Sequence, residues 1–207
     1  MTDWSGIENE LKELMACFRG CAVANISDNL ERAKGARGLR PFHRQGTMAG
    51  RALTVRTSAG DNAWIYRAFE ILQPGDVLVI DGGGYPDRAL IGEIMSKIAE
   101  AKGAVGMVLD GAIRDVDAIG AEDFPVFARA VSHLGPYKNG PGALNEPVSI
   151  GGMVVTPGDI IVGDADGLVA FGPESAKDLL LATQAQQRKE EEILSSIADG
   201  SYAGAYG

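Results

Sequence analysis

Cysteine, histidine and cationic side chains are all scarce in this sequence. Its 207 residues include two cysteines and two histidines. Cys17 and Cys21 stand four apart in a predicted helix, while His43 and His133 lie far away in the chain. A structural zinc site needs more ligands than this, so buried free thiols are expected. With no disulfide framework on offer, a reducing cytoplasm is the expected compartment. Lysine and arginine number 19 against 28 aspartates and glutamates, leaving a net charge of −9. Nucleic-acid affinity comes largely from clustered cations, and no basic block offsets the acidity, so a phosphate-backbone binder is excluded. The opening MTDWSGIENE has neither the basic nor the apolar segment of a secretory signal. No apolar run approaches the roughly 20 residues of a membrane span. A soluble protein without membrane or nucleic-acid partners is expected.

Glycine, in contrast, is abundant: there are 28, where an average usage of about 7% would give about 14. This excludes a long-helix or coiled-coil protein, and a hydrophobic fraction of 45% excludes a disordered one. A chain of this length is expected to form one domain, burying about 70% of its unfolded surface without disulfides or a structural metal.

Ile7, Leu11, Leu14, Met15 and Phe18 recur at helical spacing and predict a first helix. Ser27 is a good N-cap for a short second helix running through Leu30. Residues 48–57 alternate as extended chain, and residues 62–72 return to helical spacing. Pro74-Gly75-Asp76 then reads as a turn, 77–80 as a buried strand, Asp81-Gly82-Gly83-Gly84 as a loop, 90–102 as a helix and 104–109 as another buried strand. A short helix is expected from Asp115. Strand, helix, strand in that order predicts a parallel pair joined by a crossover, and so an α/β fold. Apolar segments at 125–131, 147–155, 159–163 and 167–171, separated by Gly, Pro and Asp, predict further short strands. Pro157-Gly158-Asp159 repeats the turn chemistry of 74–76 before another buried strand. Ser175 and Asp178 suggest a capping box for a last helix. Within it TQAQQRKEEE, residues 183–192, is almost wholly polar. Such a stretch is either a solvated face or one that presents carboxylates to a neighbouring subunit.

Three groups of residues could carry chemistry. The glycine loop at 82–84, followed by a helix, could bind an anion through free N–H groups and the helix dipole, or be a tight turn only. It is no dinucleotide fingerprint, because the third glycine of that frame falls on Asp87. Asp110-Gly111-Ala112-Ile113-Arg114-Asp115 follows a buried strand, at the carboxyl end where open α/β sheets bind ligands. There Asp115 could hold Mg²⁺ or Mn²⁺, which prefer oxygen donors, and Arg114 a carboxylate or a developing enolate oxygen. An exposed ion pair would look the same in sequence. Gly92-Glu93 opens the central helix, a favourable place for any acidic side chain.

Together these segments resemble the RraA-like family, whose enzymatic members are class II aldolases acting on 4-hydroxy-4-methyl-2-oxoglutarate and 4-carboxy-4-hydroxy-2-oxoadipate. The resemblance runs from about Ser27 to Gly200 and is carried by GDNAWIYRAFEILQPGDVLVIDGG, GEIMSKIAEAKGAVGMVLDGAIRDVDAI, FPVFARAVSHLGP and VTPGDIIVGDADGLVAF. The family's aldolases are marked by an acidic residue, twenty intervening residues, then Arg-Asp; here Glu93 is followed by residues 94–113 and Arg114-Asp115.

The resemblance implies a swivelling β/β/α sandwich in a single domain over residues 1–207, with its core at about 22–173, N-terminal helices and a protruding C-terminal helix at about 174–199. It implies a divalent metal, Mg²⁺ or Mn²⁺, ligated by Asp115, with Glu93 holding water on the metal. Arg114 would bind the substrate's keto oxygen and stabilise the pyruvate enolate. The backbone of Gly92, Ile94 and Met95 would take the substrate carboxylate, and Asn62 would line the pocket. Glu190 would reach the site from a neighbouring subunit of a trimer or hexamer, in competition with Glu191 and Glu192. Where the family's aldolases carry Asp, this chain has Glu93, whose extra methylene could convert a water-mediated contact into direct ligation. No Schiff base is required of Lys97 or Lys102. Aldol cleavage to pyruvate and decarboxylation of oxaloacetate are the expected activities. The other branch of the family consists of protein regulators of ribonuclease, which lack a complete Arg-Asp metal-binding pair.

Overall fold

The computed structural model describes residues 4–31 and 35–204, and the side chains from residue 9 onward in the first of these spans. Helices α1 (Trp4–Phe18) and α2 (Val23–Asn29) lead into a short strand β1 (Arg40–Pro41) and then the long β2 (Met48–Thr57). Next come α3 (Ala63–Ile71), β3 (Asp76–Ile91), α4 (Glu93–Ala101), β4 (Gly106–Ile113), α5 (Val116–Gly120) and β5 (Val126–Val131). Five short strands follow: β6 (Gly142–Leu144), β7 (Val148–Ile150), β8 (Met153–Val155), β9 (Ile160–Gly163) and β10 (Leu168–Phe171). A 3-10 turn at Pro173–Ser175 opens the final helix α6 (Ala176–Ala198).

Strands β2 to β5 pair in parallel through their connecting helices. Antiparallel strands extend the sheet at both sides, giving the order β1-β5-β4-β3-β2-β9-β10, with β6 also on β2 and with β7 and β8 as a separate hairpin. Strand alternation builds two cores. Leu53, Val55, Leu78, Ile80, Met107 and Leu109 point to α3 and α4, where they meet Ile65, Phe69, Met95 and Ala99. Their neighbours Ala52, Val77, Val79 and Val108 point the other way, onto Val148, Ile150, Met153 and Val155 of the hairpin. The sheet therefore lies between a helical layer and a β layer. A third cluster joins Phe18 and Ile26 to Val162, Val169 and Phe171, and seats α6 through Leu179 and Leu180.

Four local expectations are corrected. β3 does not stop before the glycines but runs through Gly82–Gly84 to Ile91, with register shifts against β4 between Asp81 and Tyr85, Tyr85 and Ala89, and Ala89 and Ile91. Bulges accommodate the extra residues, and Gly83 and Gly84 take the positive φ they require, 69° and 67°. Leu90 and Ile91 thus belong to the strand, α4 begins at Glu93, and the glycines do not adjoin its N-terminus. α2 begins at Val23 rather than at Ser27, because Asp164, far off in sequence, accepts the Val23 N–H at 2.8 Å and satisfies the helix start. The Ser175 hydroxyl donates to the Gly172 carbonyl at 2.9 Å and caps nothing. Cys21 is buried, which pushes its thiol pKa up, but Cys17 is exposed. Among the described residues no helix is long and apolar enough to cross a membrane.

Candidate functional site

The carboxyl ends of β3 and β4 lie side by side, with Ile91 paired to Ile113. Gly92 follows one strand and Arg114-Asp115 the other, and the Arg114 N–H donates to the Ile91 carbonyl at 3.0 Å. Asp115 adopts a left-handed conformation, φ 58° and ψ 38°, which few side chains but Asn and Asp tolerate. The turn brings its carboxylate to the start of α4, where Oδ2 accepts the Glu93 N–H at 3.1 Å and the helix dipole favours a negative charge. Gly92 makes this approach possible: a Cβ there would overlap Asp115 Oδ2 and stand 3.0 Å from Arg114 Cγ. Arg114 Nε lies 3.8 Å from the same oxygen, with the two side chains 45% and 44% exposed. The pair is loose and wet, open to a ligand.

A cavity of about 110 Å³ opens at this point. Gly92, Ile94, Met95, Arg114 and Asp115 line one part, Asn62 and Tyr66 another, and Pro136 and Lys138 close it. Asn62 is 2% exposed. Its Nδ2 donates to the Leu90 carbonyl at 3.0 Å and approaches Met95 Sδ at 3.2 Å, while its Oδ1 has no partner among the described residues. The Leu90 carbonyl fixes the amide's orientation, since a flipped oxygen would face another acceptor. An unmet buried acceptor costs about 1–3 kcal/mol, and this one belongs to a residue of the cavity wall.

The first turn of α4 has less free backbone than expected. Glu93 N–H serves Asp115 and Met95 N–H donates to the Gly92 carbonyl at 3.1 Å. The Ile94 N–H takes no backbone acceptor among the described residues, and the Ile94 side chain is 72% exposed beside it. Glu93 itself is exposed and lines a shallow groove between α4 and α5 rather than the cavity. Glu190 is not in the cavity of its own chain. It sits on α6 against α2, where its Oε2 accepts from Asn25 Nδ2 at 2.7 Å and its Oε1 from Gln186 Nε2 at 3.0 Å. The polar stretch of α6 is thus partly engaged at home, whereas Glu191 and Glu192 are exposed.

Asp110 is drawn away from the site as well. It is buried in an ion pair with Arg129, and its Oδ2 accepts the Gly151 N–H at 2.7 Å. The glycine segment packs there: Gly84 lies against Arg129 and Asp110, and a Cβ on Gly82 would meet Leu90 and the Asp110 carbonyl. Of the two readings open for 82–84, an anion site or a tight turn, the segment fits the structural one: it is a bulge in β3. The sequence reading missed Tyr66, which the helical period of α3 places on a helix without marking as facing a cavity, and Pro136 and Lys138, since residues 132–146 carry no periodicity to place them. It missed Asp61 too, which is 2% exposed and accepts N–H groups from Ala63, Asn139 and Gly140 at 2.9, 2.8 and 2.8 Å, tying the cavity's outer loop to α3.

The donor chemistry suits a hard cation. Asp115 is half-exposed, and its Oδ1 takes no hydrogen bond among the described residues. No three His, Cys, Asp or Glu side chains converge among the described residues. A cation here would keep most of its shell for water and substrate, as Mg²⁺ does, and Zn²⁺ would find no nitrogen or sulfur set.

Comparison with known proteins bears on the fold and the family. The family model described as "RraA-like: Aldolase/RraA" matches residues 23–170. A Halalkalibacterium halodurans protein named "Putative 4-hydroxy-4-methyl-2-oxoglutarate aldolase" is 35% identical over 187 residues, covering 90% of this chain and 89% of that protein. Among solved structures, an uncharacterized protein from Pseudomonas syringae pv. tomato superposes with a TM-score of 0.81 at 26% identity, covering 92% of this chain and 94% of that one. The RNA-processing inhibitor RraA from Thermus thermophilus gives 0.66 at 30% identity, over 72% of this chain and 92% of that one. The family thus holds proteins named for aldol cleavage and for RNA-processing inhibition on one fold, and this chain belongs to the RraA-like family.

Proposed function

We propose that this protein is a divalent-metal-dependent aldolase. It cleaves a 4-hydroxy-2-oxo acid of the 4-hydroxy-4-methyl-2-oxoglutarate type to pyruvate and a second carbonyl product, and it decarboxylates oxaloacetate. The observation that carries the reading is the Asp115 carboxylate, fixed at the start of α4 beside Arg114 in one cavity. The name of the Halalkalibacterium relative supports it.

Asp115 would hold Mg²⁺ or Mn²⁺, with Glu93 and a neighbouring subunit's Glu190 acting through water. When bound, such a cation withdraws electrons from the oxygens of a 2-oxo acid. The Ile94 N–H and the positive end of α4 hold the substrate's carboxylate. Arg114 donates to the keto oxygen and neutralises the charge that gathers there as the carbon–carbon bond breaks, giving the pyruvate enolate. Glu93 and Glu190 orient the water that takes the proton of the C4 hydroxyl. Asn62, held by its Nδ2 on the Leu90 carbonyl, lines the pocket with Ile94 and Arg114. Loss of CO₂ from oxaloacetate leaves the same enolate, so Arg114 serves both reactions. The proposed assembly is a cytoplasmic homotrimer or hexamer.

Arg114→Ala or Asp115→Ala should lower pyruvate release from oxaloacetate in Mg²⁺ by about 10²–10³-fold or more, with unchanged circular dichroism. Full activity in either variant refutes the reading. A wild-type protein that turns over no 2-oxo acid with Mg²⁺ or Mn²⁺ would instead favour a regulator.

A further inference from the structure

A second cavity, of about 270 Å³, opens at the other end of β3, where the strand begins at Asp76 rather than where it ends at Ile91. It is more than twice the size of the cavity beside Asp115 and shares no lining residue with it. Both Pro-Gly-Asp turns border it, through Pro74, Gly75 and Asp76 of one and Gly158 of the other. The two glycines stand at φ 92° and 90°, and a Cβ on either would meet nothing within 4 Å. Each aspartate closes its own turn: Asp76 Oδ2 accepts the Gln73 N–H at 2.9 Å, and Asp159 Oδ2 the Thr156 N–H at 2.7 Å. The turns thus give the cavity a fixed wall of bare backbone.

α1 supplies an apolar wall. Leu11 and Met15, one helical turn apart on one face, are only partly buried against the cluster that holds Phe18, and both line the cavity with the buried Ile160. The polar groups are cationic in balance. Arg51 and Asp76 are register partners at the start of the parallel β2–β3 pair. Arg51 Nε and Nη2 both donate to Asp76 Oδ1, at 3.0 and 2.9 Å. Asp76 is 5% exposed and spent on these contacts, whereas the Arg51 side chain is 44% exposed and its Nη1 takes no hydrogen bond among the described residues. Lys12, also in the lining, makes no ion pair among the described residues. In a chain of net charge −9, a cavity lined by two cations and one acid is a place for an anion.

We propose that this cavity is a second small-molecule site, which binds an organic acid with an apolar body. The body packs on Leu11, Met15 and Ile160, and the carboxylate lies between Lys12 and the free edge of Arg51. Mainly apolar walls with a few converging polar groups are what small-ligand sites share. Because Asp76 already holds the guanidinium, little side-chain freedom is lost when it meets the ligand. The bound acid also ties α1 to the start of the sheet. None of these residues belongs to the proposed catalytic cavity, so the inference stands apart from the aldolase reading.

Phenylacetate is a probe with both features; acetate carries the charge without the body, and 2-phenylethanol the body without the charge. By calorimetry, phenylacetate should bind at least about tenfold more tightly than either, the scale of one charge-assisted hydrogen bond. It should also slow amide exchange in α1 and at residues 73–76. Lys12→Glu, a change at an exposed position, should weaken phenylacetate about tenfold or more and leave 2-phenylethanol within about twofold, while Lys12→Arg keeps wild-type affinity. Arg114→Ala should leave phenylacetate binding unchanged. No saturable binding of phenylacetate, or equal affinity for all three probes, overturns the proposal. Binding that survives Lys12→Glu but is lost in Arg114→Ala places the acid in the other cavity and overturns it too.

Discussion

Asp115 shows how much of a site one backbone conformation can decide. Its left-handed turn, at φ 58°, directs the carboxylate onto the Glu93 N–H, and the space it enters exists because residue 92 has no side chain. Gly92→Ala should therefore displace Asp115 and Arg114 together. We expect pyruvate release to fall at least about a hundredfold, by the scale of a lost positioned group, with about 1–3 kcal/mol of stability lost to overpacking. Gly83→Ala is the control: its φ of 69° makes any Cβ unfavourable, but nothing lies within 4 Å of it. Steady-state kinetics and thermal midpoints of the two variants will separate strain from site loss. Activity intact in Gly92→Ala would show that the Asp115 position is not needed. Asp115→Asn is the cleaner probe of charge alone, since Asn tolerates the left-handed region as Asp does.

At the scale of elements, the loop after β5 depends on a single buried carboxylate. Burial by itself works to raise the Asp61 pKa, but the N–H donors of Ala63, Gly140 and Asn139 outweigh it and hold the group below its ordinary value. A carboxyl with a lower pKa folded than unfolded contributes stability above its unfolded pKa, about 3.9, and loses it as pH falls through the folded value. Asp61→Asn should cost about 1–3 kcal/mol at pH 7, and the gap in melting temperature should narrow as pH drops below about 4. A gap constant with pH would mean that the charge is not what ties the loop. This latch also marks where sequence reading stopped. The helices α1, α3 and α4 and the parallel strands between them were legible because their apolar residues repeat at a period set by their own geometry. So was the Arg114-Asp115 position, since it follows a buried strand. What escaped was decided by distant partners: Asp164 capping α2, bulges carrying β3 through Gly82–Gly84, and Asp61 placing Lys138. None of these leaves a local period, and β1 and β6, at two and three residues, are too short to carry one.

For the whole molecule, the cation site proposed at Asp115 would need further acidic groups from elsewhere. Three acidic side chains do not converge among the described residues of one chain, and Glu190 lies elsewhere on that chain, braced by Asn25 and Gln186. Both facts are accounted for if the carboxylate is held ready for a neighbouring chain. α6 is anchored by Leu179 and Leu180 at its start, while Leu194 and Ile197 near its end are exposed, as expected of a helix that reaches beyond its own body. The arrangement makes a quantitative prediction in a closed ring, where each chain meets its neighbour head to tail. Asp115→Asn and Glu190→Gln proteins should each be inactive. Co-expressed in equal amounts, they form intact sites wherever a chain with wild-type Asp115 is followed by one with wild-type Glu190. Random assortment places that order at about a quarter of the junctions, so the co-expressed mixture as a whole should recover about a quarter of wild-type pyruvate release. If both groups served the same chain, no assortment could restore a site, and the mixture would stay inactive.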